Sequence, residues 1–208
     1  MVILDDALTL VTGPTGEPLI DADVIEHLRL EDDLEANQVD RVIAAARSQV
    51  EGVTGRALMP QTWELALRRF PLQRIRLPKP PLVSVTSITY VDADGNSQVL
   101  ASSEYQVNTR IEPGEIERAF RGTWPDIRDV PNAVVIQYVV GYGGVGATDD
   151  AARASLDQVA GNIRAALLLI CGELWENRES SVVGLNYNPT PTVRNLLAPH
   201  RLGEWGHW

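Results

Sequence analysis

The sequence predicts an α+β protein with an N-terminal helical hairpin, an inserted small antiparallel β region, a long C-terminal helix and an extended tail. Three observations carry that expectation. Val39, Val42, Ile43, Ala46, Val50 and Val53 recur at helical spacing along one face. Between Gln61 and Val140 the pattern turns to alternating or β-branched runs punctuated by Pro, Gly and Asp. The stretch Gly161 to Ser180, GNIRAALLLICGELWENRES, then returns to helix with an unbroken apolar run from Leu167 to Cys171. The chain divides accordingly into a helical part (1–60), a β region (61–145), a helix that completes the bundle (146–180) and a tail (181–208).

Residues 1–20 read as irregular, because Gly13-Pro14 and Glu17-Pro18 interrupt any period. Asp21 or Asp23 is placed to cap a short helix through Val24, Ile25 and Leu28. The longer helix that follows closes at Gly55, which suits a left-handed C-cap. Thr62 to Leu67 alternates as a strand, and the proline-rich IRLPKPPL fits an edge or crossing. Val83 to Val91 and Gln98 to Leu100 flank Asp94-Gly95, a hairpin turn that needs positive φ. Tyr105 to Val107 and Ile116 to Phe120 add short strands. Ala133 to Val140, AVVIQYVV, is the strongest strand pattern in the chain.

The apolar run at Leu167–Cys171 is apolar on nearly every side, so it needs cover on nearly every side. Burial at the centre of one domain would provide it, and so would a neighbouring copy of the chain. The run is short and closely flanked by charge, and no segment reads as a membrane span. The N-terminus has neither the basic nor the long apolar region of a signal peptide. The single cysteine, Cys171, allows no disulfide within one chain.

A net charge of −10 argues against a dedicated nucleic-acid binder, which carries a clustered basic footprint. It does not argue against a protein that nucleic acid passes, since an acidic wall does not hold phosphates. The charge is uneven. Asp21, Asp23, Glu26, Glu31, Asp32, Asp33 and Glu35 crowd the N-terminal part, whereas Arg68, Arg69, Arg74, Arg76 and Lys79 crowd one later stretch. Two readings stand: solvated faces, or complementary patches on neighbouring subunits.

No catalytic, cofactor or metal site emerges. Gly141 to Gly146 satisfies G-x-G-x-x-G after a strand, but no second parallel strand follows to make a βαβ unit. A small nucleotide-binding enzyme is the alternative attached to that loop. Asp92, Asp94 and Asn96 imitate the start of a calcium loop, yet Ser97 replaces its glycine and Ser103 its final glutamate. His27, His200 and His207 have no metal-type spacing. Glu173 and Glu176 beside Arg178 suit an ordinary ion pair. A β-based binding module would need an exposed aromatic platform, for which Trp63 and Trp124 are the only tryptophans in the region.

The matching stretches DDLEANQVDRVIAAARSQVEGVTGRAL, QTWEL, RRFP, IRLPKPPLVSVTSITYVDADG, VVGYG, NIRAALLLICGELWENRE and LLAPHR run in order along nearly the whole chain. Taken together they resemble the head-tail connector (adaptor) proteins of long-tailed bacteriophages and gene transfer agents, in the larger branch with a β insertion. Ala160 departs from the proline expected before the last helix, and the stretch from Gly146 to Val159 is longer than usual. The resemblance implies a non-enzymatic ring of about twelve copies beneath the portal, without cofactors. Its channel would pass DNA, and its lower face would carry a stopper or tail-terminator protein. Candidate subunit-interface residues are Arg68, Arg69, Arg74, Arg76, Leu168, Leu169, Trp175 and Arg178. The resemblance further implies a portal-binding tail, with Tyr187, Val193, Leu196, Leu197, Arg201 and Trp205 as its candidate contacts.

Overall fold

The computed structural model describes residues 7–30, 36–176 and 190–202. In chain order these form β1 (Ala7–Thr12), α1 (Asp21–Leu28), α2 (Ala36–Thr54), β2 (Gln61–Leu67), β3 (Ile75–Arg76), β4 (Leu82–Val91), β5 (Ser97–Val99), β6 (Tyr105–Asn108), β7 (Glu115–Arg118), β8 (Val134–Val140), α3 (Asp149–Glu176) and α4 (Pro191–Leu197). The α+β class expected from the patterning is the class observed.

Strand β8 is central because its sequence suits burial. Val134, Ile136, Tyr138 and Val140 are fully buried and alternate with half-buried neighbours, the period-2 signature of a strand. It pairs antiparallel with β2 in an unbroken register from Gln61↔Val140 to Leu67↔Val134. On its other side lies β4, with register shifts near Ser84 and Ser87. The five-stranded order is β1-β2-β8-β4-β5. The β4–β5 hairpin forms as expected: Gly95 has φ +93°, and the Asp92 carboxylate accepts from the Asn96 amide at 2.8 Å and the Gln98 side chain at 2.9 Å. Those two bonds hold the Asp92 carboxyl below its ordinary range, with the Gln98 bond the larger cause. A second sheet, β3-β7-β6, sits against the first through Ile75, Leu77 and Ile116, which join its apolar cluster.

The helices build a separate cluster. Val39, Ile43, Ala46 and Val50 of α2 meet Leu156, Ile163, Ala166, Leu167, Ile170 and Cys171 of α3. The apolar run in α3 is thus covered mainly from within the chain, and Leu168 and Leu169 remain half-buried at its margin. By length and composition α3 meets the minimum for a membrane span. Its apolar face is taken up by the helical core, however, and mid-helix Arg164 pairs with Asp23 at 2.7 Å and Asp157 at 3.3 Å.

Four local expectations are corrected. Residues 7–12, expected to be irregular, form β1, because ALTLVT alternates and finds an open edge on β2. The cap of α1 is Ile20, with Asp23 one turn inside accepting from the Ile20 amide at 3.0 Å. Helix α3, Asp149–Glu176, falls inside the expected 146–180 but is not continuous; its two helical parts meet at Ala160, whose φ of −143° and ψ of 47° interrupt the helix. Proline, fixed near −65°, does not fit that φ, which accounts for the alanine. Lastly, residues 190–202 are not a tail without a core. Thr190 caps α4 by accepting from the Val193 amide, Pro191 occupies its first turn, and Val193 and Leu197 are buried on α2 and α3.

One polar network joins the helical cluster to the sheet. The Glu51 carboxylate accepts from the Leu58 amide at 2.8 Å and from Gln61 at 2.6 Å, and it pairs with Arg47 at 3.2 Å. Arg47 also pairs with Glu17 at 2.7 Å, and the Trp63 indole donates to Gln61 at 3.0 Å. Burial raises the Glu51 carboxyl above its ordinary range, and these bonds only partly offset it.

Candidate functional site

The glycine-rich loop after β8 is a joint between sheet and helix. Both neighbours of β8 run antiparallel to it, so the loop opens no βαβ unit. Gly141 has φ +121°, and a Cβ there would strike the Met59 carbonyl; Gly143 has φ +101°, against Ala147 and Ala152. The glycines therefore serve chain reversal and close packing. The α3 N-terminus beyond the loop carries Asp149 and Asp150, carboxylates where a phosphate site needs open amides. Tyr142 contacts Arg56, which also pairs with Glu112 at 2.6 Å and donates to the His200 carbonyl at 2.7 Å. Arg56 thus fastens the loop, the second sheet and the C-terminal segment together.

Candidates for an aromatic platform are engaged inside the fold. The Trp63 ring lies under Lys79 at 5.5 Å. Trp124 donates to the Pro71 carbonyl at 3.0 Å and stacks on Phe70 at 4.5 Å. Among the described residues, no group of three or more His, Cys, Asp or Glu gathers as a metal site.

The arginine-rich stretch does gather into a surface. Arg74 and Arg76 converge on Glu115, at 2.8 and 3.1 Å, and the Glu115 side chain is only 5% exposed. Arg68 pairs with Asp129 at 2.7 Å, and Arg69 is exposed. Beside Arg74 lies an open groove of about 640 Å³, lined among others by Leu72, Glu117, Arg118 and Arg121. Arg118 donates to the Leu72 carbonyl at 3.3 Å, and the Arg121 guanidinium sits 5.3 Å from the Phe120 ring centre. Leu72 and Phe120 are 88% and 84% exposed, the two most exposed large apolar side chains among the described residues. Sequence reasoning named Arg68, Arg69, Arg74 and Arg76 but missed Leu72, Arg118, Phe120 and Arg121. For Arg118, Phe120 and Arg121 the one available signal is the alternation of Arg with apolar residues in IERAFRG, which reads equally well as a strand; Leu72 has no such signal.

The remaining candidates scatter. Trp175 is half-buried against the helical core with Leu168 and Leu169. Of the tail contacts, Val193 and Leu197 are buried, Leu196 is half-buried and Arg201 is exposed. Arg178, Tyr187 and Trp205 lie outside the described residues, as do the acidic residues Glu31 to Glu35.

No protein-family model matches the chain, and neither does any curated protein. Solved structures do. A chain from the neck of an empty gene transfer agent (GTA) particle, computed with C6 symmetry, superposes with a TM-score of 0.72 at 24% identity, covering 95% of this chain and 98% of that one. A chain from the virion of a native GTA particle gives 0.71 at 24% identity, with 94% and 97% covered. A chain from the neck of a native GTA particle, computed with C12 symmetry, gives 0.69 at 23% identity, with 95% and 98% covered. Over almost its whole length, the chain has the fold of these particle-neck and virion chains.

Proposed function

We propose that this chain is a structural component of a particle neck: the head-tail connector of a tailed bacteriophage or gene transfer agent, located in the virion. The observation that carries the reading is the two-way coverage. The likeness takes in 95% of this chain and 98% of a neck chain, so the β region, the helices and the C-terminal segment all have counterparts. A shared superfold alone would give a weaker argument, because common folds host many functions.

In this reading the protein acts by assembly and not by catalysis. About twelve copies form a ring beneath the portal, in keeping with the twelvefold symmetry used for a related neck. The ring surrounds a channel through which DNA passes without sequence-specific contacts, and it offers a platform to a stopper or tail-terminator protein. The helical parts (1–60 and 146–180) form the ring body, the β region (61–145) projects from it, and the segment 181–208 reaches the portal. Subunit contacts draw on the arginine-rich stretch and on the α3 margin at Leu168, Leu169 and Trp175. Before assembly the chain resides in the host cytoplasm. Because Val193 and Leu197 complete the helical core, portal contacts in the described part of the tail fall to Leu196 and Arg201.

The test is stoichiometry. Native mass measurement of the purified chain with its portal protein should give a complex of about twelve copies per portal ring. A chain that stays monomeric and ignores the portal would overturn the reading.

A further inference from the structure

Residues 68–79 and 105–130 hold nine of the 18 Lys and Arg side chains but only five of the 28 Asp and Glu. This part is therefore net positive in a chain whose remainder is strongly negative. The groove at Arg74, Arg118 and Arg121 lies within it, with Glu117 its one acidic lining residue. Arg118 and Arg121 are exposed, and their internal contacts, to one carbonyl and one ring face, leave guanidinium donors available. Arg121 also holds φ at +62°, the left-handed region that non-glycine residues rarely adopt, and Phe120 and Arg121 are both exposed at this turn. Arginine beside a large exposed apolar side chain is the composition of a protein interface centre. Duplex DNA would use the guanidiniums but would leave Leu72 and Phe120 without a counterpart.

The opposite surface is on the same chain. Asp21 of α1 is half-buried against the exposed Asp40 of α2, and Ile20 beside Asp21 is 46% exposed. Asp21 and Asp40 crowd each other: partial burial, then Asp40, raises the Asp21 carboxyl above its usual range. A guanidinium from outside would relieve that crowding. α1 packs in the helical cluster, whereas the groove is lined by residues in and beside β3 and β7 of the second sheet, so the two surfaces sit on different elements of the subunit.

We propose that the groove at Arg74, Arg118 and Arg121, flanked by Leu72 and Phe120, receives the acidic α1–α2 surface of a second copy of this chain. The contact pairs two different patches, so each copy keeps one patch free, which is the heterologous geometry that closes into a ring. The inference rests on the ring reading above and names its interface.

The test uses two full-length variants, Arg118→Glu/Arg121→Glu and Asp21→Arg/Asp40→Arg, in self-association assays by analytical ultracentrifugation. Arg74 is left intact because it also holds Glu115. Each variant alone should lose self-association by at least about tenfold. Mixed in equal amounts they should recover it, because each reversed patch now meets a reversed partner. Arg118→Gln/Arg121→Gln, with a circular dichroism spectrum matching wild type, should show an intermediate loss and so separate contact from misfolding. If both charge-reversed variants assemble like wild type, or the mixture fails to recover, the groove assignment falls and the ring stands. A wild-type chain that does not self-associate, alone or on the portal, removes the ring and the groove together. If Arg118→Glu/Arg121→Glu assembles normally but loses retention on duplex DNA, the groove is a phosphate contact and the proposal is overturned.

Discussion

Glu51 shows what one buried carboxylate does in this protein. It stands at the end of α2 and satisfies the Leu58 amide, Gln61 and Arg47, so it sets how the sheet leaves the helical cluster. Desolvation raises its pKa from 4.5, so the native state holds the proton more tightly than the unfolded chain does. That contribution is present at low pH and is lost as pH rises through the raised value. The stability advantage of wild type over Glu51→Gln should therefore be larger below pH 4.5 than at neutral pH, as read by urea unfolding. A gap that stays constant or widens with pH would contradict the assignment. Cys171 behaves differently. Burial in the helical core pushes its thiol up to about 12, so the reactive thiolate is scarce at neutral pH. A thiol reagent should leave the folded protein unlabelled and modify one site per chain once it is denatured. Rapid labelling of the native protein would show that the α3 core opens.

At the scale of elements, the glycines separate two physical roles. Gly52 lies in α2 with open space around it, so Gly52→Ala should stabilise the protein by up to about 1 kcal/mol through helix propensity. Gly141→Ala should destabilise it by more than about 1 kcal/mol, because positive φ and the Met59 carbonyl both oppose a Cβ. Thermal unfolding of the two variants should move the midpoint in opposite directions. The elements legible in the sequence include the long periodic ones, α2, β2, β4, β8 and the body of α3, and also the short α1, β5, β6 and β7, marked by the turn residues and apolar positions around them. β1 was missed because its alternation is only six residues long and lies beside the breaks at Gly13-Pro14 and Glu17-Pro18, and it buries no face. Val193 to Ala198 reads as one helical turn before Pro199, and α4 forms there, but so short a turn does not show the helices it packs on. The arginine-rich stretch was legible as charge, but its division was not. Arg74 and Arg76 pair with Glu115, some forty residues further along the chain, while Leu72 and Phe120 lie exposed just outside β3 and β7. Pairing and exposure are tertiary properties, and local periodicity does not contain them.

At the scale of the whole molecule, the described residues form two apolar clusters, helical and sheet, joined by the Glu51 network and the Arg56 contacts. Its charge is uneven: residues 1–60 carry 12 acidic and 4 basic side chains, whereas the β region (61–145) carries nine of each, with a basic excess only in residues 68–79 and 105–130. In the proposed ring, the unlike surfaces would face neighbouring copies, and a net charge of −10 would not retain phosphates. The polarity also predicts that assembly weakens as salt rises toward 1 M, where screening acts within about 3 Å. The most direct test of the central claim is the mass of the purified chain over a concentration series, alone and with its portal protein. The account predicts a closed species of about twelve copies, formed by the chain itself or on the portal. A monomer that persists at every concentration and does not bind the portal would contradict it and leave only the shared fold.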